Sequence, residues 1–474
     1  MTSEICKNAP LCAAPRGRSA MRTRVGIGAA VVGPGILALV NDAGSVAIDT
    51  QAGQDFGYRL LWVLVLMIPV LVLNQDMVVR LGTITGCGLV DLFRPRFGRA
   101  WTALCLSVLT AVNVLTIVSE FMGVSLAASS LGVSPVVAVP VAVTALVGVA
   151  LGRSPRFRER AMLVLVAIGL VQLPMMLLAH PQWPRLISET GPTIGGSSGS
   201  LLLAMGIVGT TISPWQLALQ QSTIVEKAIP STRLGYERAD TVIGALMSAA
   251  GGTAFIVLGD YARRSAGGTS AFIDCGVTAR LLDEHSSLLA GFFAVALMDA
   301  SMIGAAAVAL STDRLIRDAR GSDRRTQQGR RPIDTRHQWY CIVLVLASAP
   351  VLIPGMPLGF LMALVQVLAG LLLPGMTLML LLLCNDRRLL GRWANRWPLN
   401  LFGIATVVGL VGLTAWLLLS TVDPAPDVRA RMLTALATGG VGLGTAWVWR
   451  RRRTTFRMTA YPPTPWVGDR DDRR

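Results

Sequence analysis

Two stretches decide the reading of this chain: Gly33 to Ala52, GPGILALVNDAGSVAIDTQA, and Met205 to Val225, MGIVGTTISPWQLALQQSTIV. Each is long enough to span a bilayer, yet each carries polar, Gly or Pro residues at its middle, where an uninterrupted helix would place only apolar side chains. Segments of this kind break at the membrane midplane. Broken backbone in hydrocarbon is tolerated only where it is buried in protein or lines a cavity, so breaks in corresponding positions of two halves point to the binding site of a transporter.

The surrounding sequence supports a membrane setting. The 474-residue chain is 53% hydrophobic and only 15% charged, which excludes a soluble or disordered protein. Twelve spans are predicted: Val25–Gln54, Leu60–Val79, Trp101–Ser129, Val136–Leu151, Ala161–Leu178, Leu201–Val225, Thr241–Leu258, Leu288–Leu310, Trp339–Ile353, Pro357–Leu383, Leu399–Thr421 and Met432–Trp449. The net charge of +16 does not indicate nucleic acid, because the arginines fall after every second span, from Arg16–Arg24 to Arg450–Arg453. That alternation predicts a multi-pass plasma-membrane protein with both termini cytoplasmic. Arg263, Arg264 and Arg280 stand on the outer side against the rule, offset by Asp260, Asp274, Asp283 and Glu284. The seven cysteines are scattered, with no CxxC and no expected bridge partners. The first twenty-four residues lack an apolar core of signal-peptide length, and Met21 is an alternative start.

The broken segments are the first and sixth spans. Five spans per repeat is an odd number, so the second copy is inserted upside down: an all-α, polytopic 5+5 inverted repeat with two extra C-terminal helices. The expected organisation is a cytoplasmic tail (1–24), a first repeat (25–183), a second repeat (198–384), two peripheral helices (397–449) and a cytoplasmic tail (450–474). The basic loop from Asp313 to His337 reads as a solvated cytoplasmic face near anionic headgroups.

At the first break, Asn41-Asp42-Ala43-Gly44-Ser45 puts a carboxylate, a flexible Gly and a hydroxyl within one turn. A midplane carboxylate is costly unless it meets a cation, a proton or a partner, which makes Asp42 the leading ligand. Its structural alternative is an N-cap for the second half-helix. At the second break, Thr210-Thr211-Ile212-Ser213-Pro214-Trp215-Gln216 combines hydroxyls, an amide and a Pro that removes a helical hydrogen bond. Oxygen from Asp42, Ser45, Ser213 or Gln216, with carbonyls freed near Leu39 and Thr210, suits a hard dication such as Mg²⁺, Mn²⁺ or Ca²⁺. Glu120, inside span three, is either a second site carboxylate or the partner of a buried polar group such as Asn113. Asp76 with Arg80 reads as a solvated helix-end pair, and Glu226 with Lys227 as an interfacial ion pair.

Together with RLGTITGCGLVDL and VQVLAGLLLPGMTLMLLLLCNDRRLLG, these stretches resemble the Nramp family of divalent-metal transporters, over Gly33 to Gly391. The resemblance implies a LeuT-like fold. It also implies a site in which the family's span-one Asp-Pro-Gly-Asn falls on Asp42 and Ser45, its span-six Met and His on Ser213 and Trp215, and its span-ten Gln on Gln366. The family's span-three acidic pair falls on Ile117 and Glu120, and its span-six histidines on Trp215 and Gln220. Replacing a thioether by Ser213 is expected to relax preference for transition metals, as in the divergent, magnesium-transporting branch. With Glu120 alone titratable among those four positions, weak or absent proton coupling is expected.

The expected function is therefore transport of Mg²⁺ or Mn²⁺ by alternating access, with the dication as substrate, no permanently bound cofactor, and the bilayer as the other partner. The alternatives are a proton-coupled Mn²⁺/Fe²⁺ symporter, an organic-solute symporter, and a receptor that has lost transport. No P-loop, HExxH or credible catalytic triad indicates an enzyme.

Overall fold

The computed structural model describes residues 41–151, 155–191, 198–265, 275–320, 338–353 and 355–422. Among these, eight helices are long and apolar enough to cross a membrane, and two shorter apolar helices accompany them. Leu39, the first half of span one and all of span twelve lie outside the described residues.

The first described helix, α1 (Ala43–Phe56), is the half that follows the first break. It is followed by α2 (Leu61–Thr85), the short α3 (Leu89–Phe97), α4 (Arg99–Ser130) and α5 (Pro135–Leu151). Span five is two helices, α6 (Pro155–Gly169) and α7 (Gln172–Leu178), rather than the single run expected. Pro174 explains the interruption: it has no N–H to give Leu170, and its ring crowds that carbonyl. A short α8 (Trp183–Glu189) leads to the second broken span, which divides into α9 (Ser198–Thr211) and α10 (Pro214–Glu226). The second half continues with α11 (Leu234–Ser265), α12 (Cys275–His285), α13 (Ser287–Arg320), α14 (Gln338–Ser348), α15 (Leu358–Cys384), the single turn α16 (Arg387–Leu390) and α17 (Trp397–Val422).

The packing partners come in couples that exchange when one repeat is laid on the other. The α1 half-helix packs along α11, and its counterpart span α9–α10 packs along α2. In the same way α4 lies against α15 while α13 lies against α6 and α7, and α4 meets α1 while α13 meets α10. The self-related pair, α4 with α13, is the central contact of the bundle. Around this core, Val136, Val137 and Val141 of α5 and Val164 and Ile168 of α6 face outward, an apolar exterior suited to lipid.

Several polar groups lie elsewhere than the sequence suggests. Arg80 is not on a solvated helix end: it is 2% exposed, pairs with Asp76 at 2.9 Å and donates to the Trp393 carbonyl at 3.0 Å. Arg238 of α11 joins the same carboxylate at 2.6 Å. Glu226 pairs with Arg314 of α13, which also donates to Ser222 and Thr223, so this group ties α10 to α13. The loop expected from Asp313 begins later, because α13 continues to Arg320 with Asp313 buried and paired to Arg317 at 2.6 Å. At the opposite end, Asp260 is fully buried and takes Arg263 at 2.6 Å and Arg264 at 2.9 Å, which explains how arginines are accommodated on that side. Cys87 is disulfide-bonded, against the expectation of no bridge, while Cys105, Cys341 and Cys384 are free thiols.

Candidate functional site

The first break is a reciprocally capped helix start. Asp42 is the N-cap of α1, with extended backbone (φ −100°, ψ 170°). The Ser45 amide donates to Asp42 Oδ1 at 2.7 Å, and the Asp42 amide donates to Ser45 Oγ at 2.8 Å. Two of the orphan amides of a helix that begins in the middle of the bundle are thereby satisfied. A third, that of Ala43, donates to Glu120 Oε2 at 3.0 Å. Asn41 anchors the approach: its Nδ2 donates to Gln172 Oε1 of α7 at 3.2 Å, and its Oδ1 accepts from Ser248 Oγ of α11 at 3.0 Å.

The second break follows from Pro214, which stands at the first position of α10 and cannot donate back into α9. The Ser213 amide donates to Gln216 Oε1 at 3.0 Å, and Ser213 Oγ donates to the Gly209 carbonyl at 2.6 Å. Thr210 and Thr211 turn their hydroxyls back onto the Ile207 carbonyl, at 3.0 and 2.7 Å. Trp215 is packed among neighbours at 2% exposure, and its carbonyl accepts from Ser311 Oγ.

Gln366, on α15, is where the two breaks meet. Its Nε2 lies 3.5 Å from each Asp42 oxygen, and its side chain lies against Gly44 so closely that any side chain there would collide with it. Its backbone carbonyl presses on Gly209 of α9, where a Cβ would likewise find no room. The tertiary structure thus gathers Asp42, Ser45, Glu120 and Gln366 around one half-helix start. The span-six hydroxyls and Gln216 are engaged with their own segment. Asn113, offered by the sequence as a partner for Glu120, instead donates to Thr312 Oγ1 at 3.0 Å.

Asp42 and Glu120 are both buried, and among the described residues neither makes an ion pair. Among the described residues, Glu120 Oε1 and Gln366 Oε1 are buried acceptors with no hydrogen-bond donor. An oxygen-only set of this kind matches a hard dication, and its strong negative field in a low-dielectric interior is relieved by two positive charges. Among the described residues no three His, Cys, Asp or Glu side chains converge, so the set is no closed cage of the zinc type.

The sequence reading missed Asp49, which is buried with Oδ1 unpartnered, and the anchoring role of Asn41. Asp49 lies seven residues beyond Asp42 on the same helix, a spacing that places both on one face and was available as a signal.

These features define a broken-helix membrane protein of LeuT-like 5+5 inverted-repeat architecture, with an acidic centre at the crossing of the two broken spans. The model of the Natural resistance-associated macrophage protein-like (Nramp) family matches residues 35–420, and the chain belongs to that family. Among its relatives, the divalent metal cation transporter MntH 1 of Pseudomonas aeruginosa is 30% identical over 412 residues, 81% of this chain and 91% of that protein. MntH of Verminephrobacter eiseniae is 34% identical over 215 residues, and the chain spans about half its length (48%). Among solved structures, the manganese transporter of Eremococcus coleocola superposes with a TM-score of 0.68 at 20% identity, covering 90% of this chain and 96% of that one, which shows the shared fold.

Proposed function

We propose that this protein moves divalent metal cations, Mg²⁺ or Mn²⁺, through the plasma membrane by alternating access around Asp42, with both termini cytoplasmic. The observation that carries the reading is the gathering of Asp42, Glu120 and Gln366 at one capped half-helix start, with acceptor oxygens unfilled and no counter-charge among the described residues. Ser45, Thr210, Ser213 and Gln216 are the further oxygen donors of the proposed site, with the Leu39 carbonyl on the preceding segment; the span-six groups would join it by leaving the hydrogen bonds they make within their own segment. The family relatives named as divalent metal cation transporters support the cargo class. With hydroxyls rather than a thioether at Ser45 and Ser213, the site leaves room for retained water and suits Mg²⁺ as well as Mn²⁺. An inside-negative potential supplies about 4.6 kcal/mol per 100 mV for two charges, enough to drive uptake with little proton coupling.

The test is uptake into proteoliposomes under an inside-negative potential with no pH gradient, comparing Mg²⁺ with Mn²⁺ for the wild type and Asp42→Ala. Uptake of both ions, lost in the variant, is the expected outcome. Uptake that survives in Asp42→Ala removes Asp42 from the site and the reading with it.

A second reading, proton-coupled symport, is favoured by one observation. Asp49 and Asp299 are buried and each keeps an oxygen without a partner, so the bundle holds titratable groups beyond Glu120. Metal flux driven by a pH gradient alone would select this reading over the first.

A further inference from the structure

The Ala43 amide and the Glu120 carboxylate form a contact that the site geometry does not require of a metal ligand. Glu120, fully buried on α4, accepts from the backbone of α1 at 3.0 Å through Oε2, while its other oxygen has no donor. Its carboxylate lies directly on Gly304 of α13, where a Cβ would collide with it, so it is held between the central helix pair and the broken helix. One residue beyond Asp42, a backbone donor is joined to the central pair of the bundle by a single hydrogen bond to a buried carboxyl group.

The second break supplies a reference within the same molecule. There the first helical position is Pro214, which has no N–H, so no such bond can form at the corresponding place. The bond is therefore a property of one repeat and not of broken helices in general.

We propose that Glu120 is a positioning residue that latches α1 through the Ala43 amide, and that a dication arriving at Asp42 competes with the amide for this carboxylate. Cargo binding then draws Glu120 towards the metal, frees the Ala43 amide and releases the half-helix from the α4–α13 pair. The inference rests on the proposed site at Asp42 and assigns its regulation.

Two measurements test it on the full chain. Ala43→Pro deletes the donor at a first helical position, where proline is well tolerated. The metal then no longer competes with an amide, so half-saturation by Mg²⁺ or Mn²⁺ is expected to fall roughly tenfold, while the maximal rate falls because the relatching step is lost. Ala43→Gly, which keeps the amide, should shift half-saturation far less than Ala43→Pro. The second measurement needs no variant: hydrogen exchange at the Ala43 amide is expected to quicken when Mg²⁺ or Mn²⁺ is added, against the general slowing that ligand binding causes. Unchanged half-saturation in a folded Ala43→Pro protein, or exchange at Ala43 that stays constant or slows with the metal, overturns the latch. The site itself fails separately, through Asp42→Ala retaining uptake.

Discussion

The two breaks solve one problem with different chemistry. Each starts a helix inside the bundle and must satisfy amides that have no preceding turn. At the first, the N-cap is a carboxyl group: Asp42 takes the Ser45 amide, Glu120 takes the Ala43 amide, and Gln366 leans on Asp42. At the second, the N-cap is neutral: Ser213 points its hydroxyl back to Gly209, Gln216 takes the Ser213 amide, and Pro214 removes one donor outright. Among the described residues, the first break ends with acceptor oxygens to spare and no counter-charge. The second is closer to self-sufficient. The buried carboxyl groups thus gather at the first break, while the second repeat contributes Gln366 of α15 beside them.

Substitutions can break this contrast or sharpen it. The largest effect is expected at Asp42: changing it to Ala removes both a cap and the central negative charge, and dication uptake should fall by about a hundredfold or more. Below it comes Gly209→Ala, which sets a Cβ against the Gln366 carbonyl and forces α9 away from α15. A loss of about 1–3 kcal/mol of stability is expected, read as a lowered melting temperature in detergent. Ser213→Met should leave the first break intact while offering a soft sulfur at the second, raising the Mn²⁺ over Mg²⁺ preference roughly fivefold in competition uptake. A Met variant with unchanged selectivity would show that span six does not address the metal. The smallest effect is expected from Pro214→Ala, since Ser213 and Gln216 still define the start of α10: uptake should stay within about twofold of wild type. A large loss there would mean that the second break depends on proline for more than a missing donor.

Much of the architecture was legible because it follows from the solvent. A run such as Leu358–Cys384 has one stable conformation in hydrocarbon, and the polar interruptions at Asn41–Ser45 and Ser213–Gln216 had to be breaks for the same reason. The division of span five was missed, although Pro174 carries a local steric cause for it. Buried polar partners were not legible. Arg80 and Asp76 sit four residues apart, the spacing of an exposed helix pair, yet Arg238 and the Trp393 carbonyl, brought from distant segments, join them in a cluster in which Arg80 is buried. Glu226 likewise neighbours Lys227 in sequence but pairs across the bundle with Arg314.

The sequence by itself determined that the chain lies in a membrane, where its helices break, and that Asp42 stands at a break, because hydropathy, proline and the cost of a buried charge are properties of local composition. Only the tertiary structure decided that Gln366 closes on Asp42 while Gln216 serves a cap, and that Glu120 meets the Ala43 amide instead of Asn113. Those outcomes depend on which glycines let two backbones approach and on which of several buried acceptors lies within hydrogen-bond reach, distances set between segments 324 residues apart for Gln366 and Asp42 and 77 apart for Glu120 and Ala43.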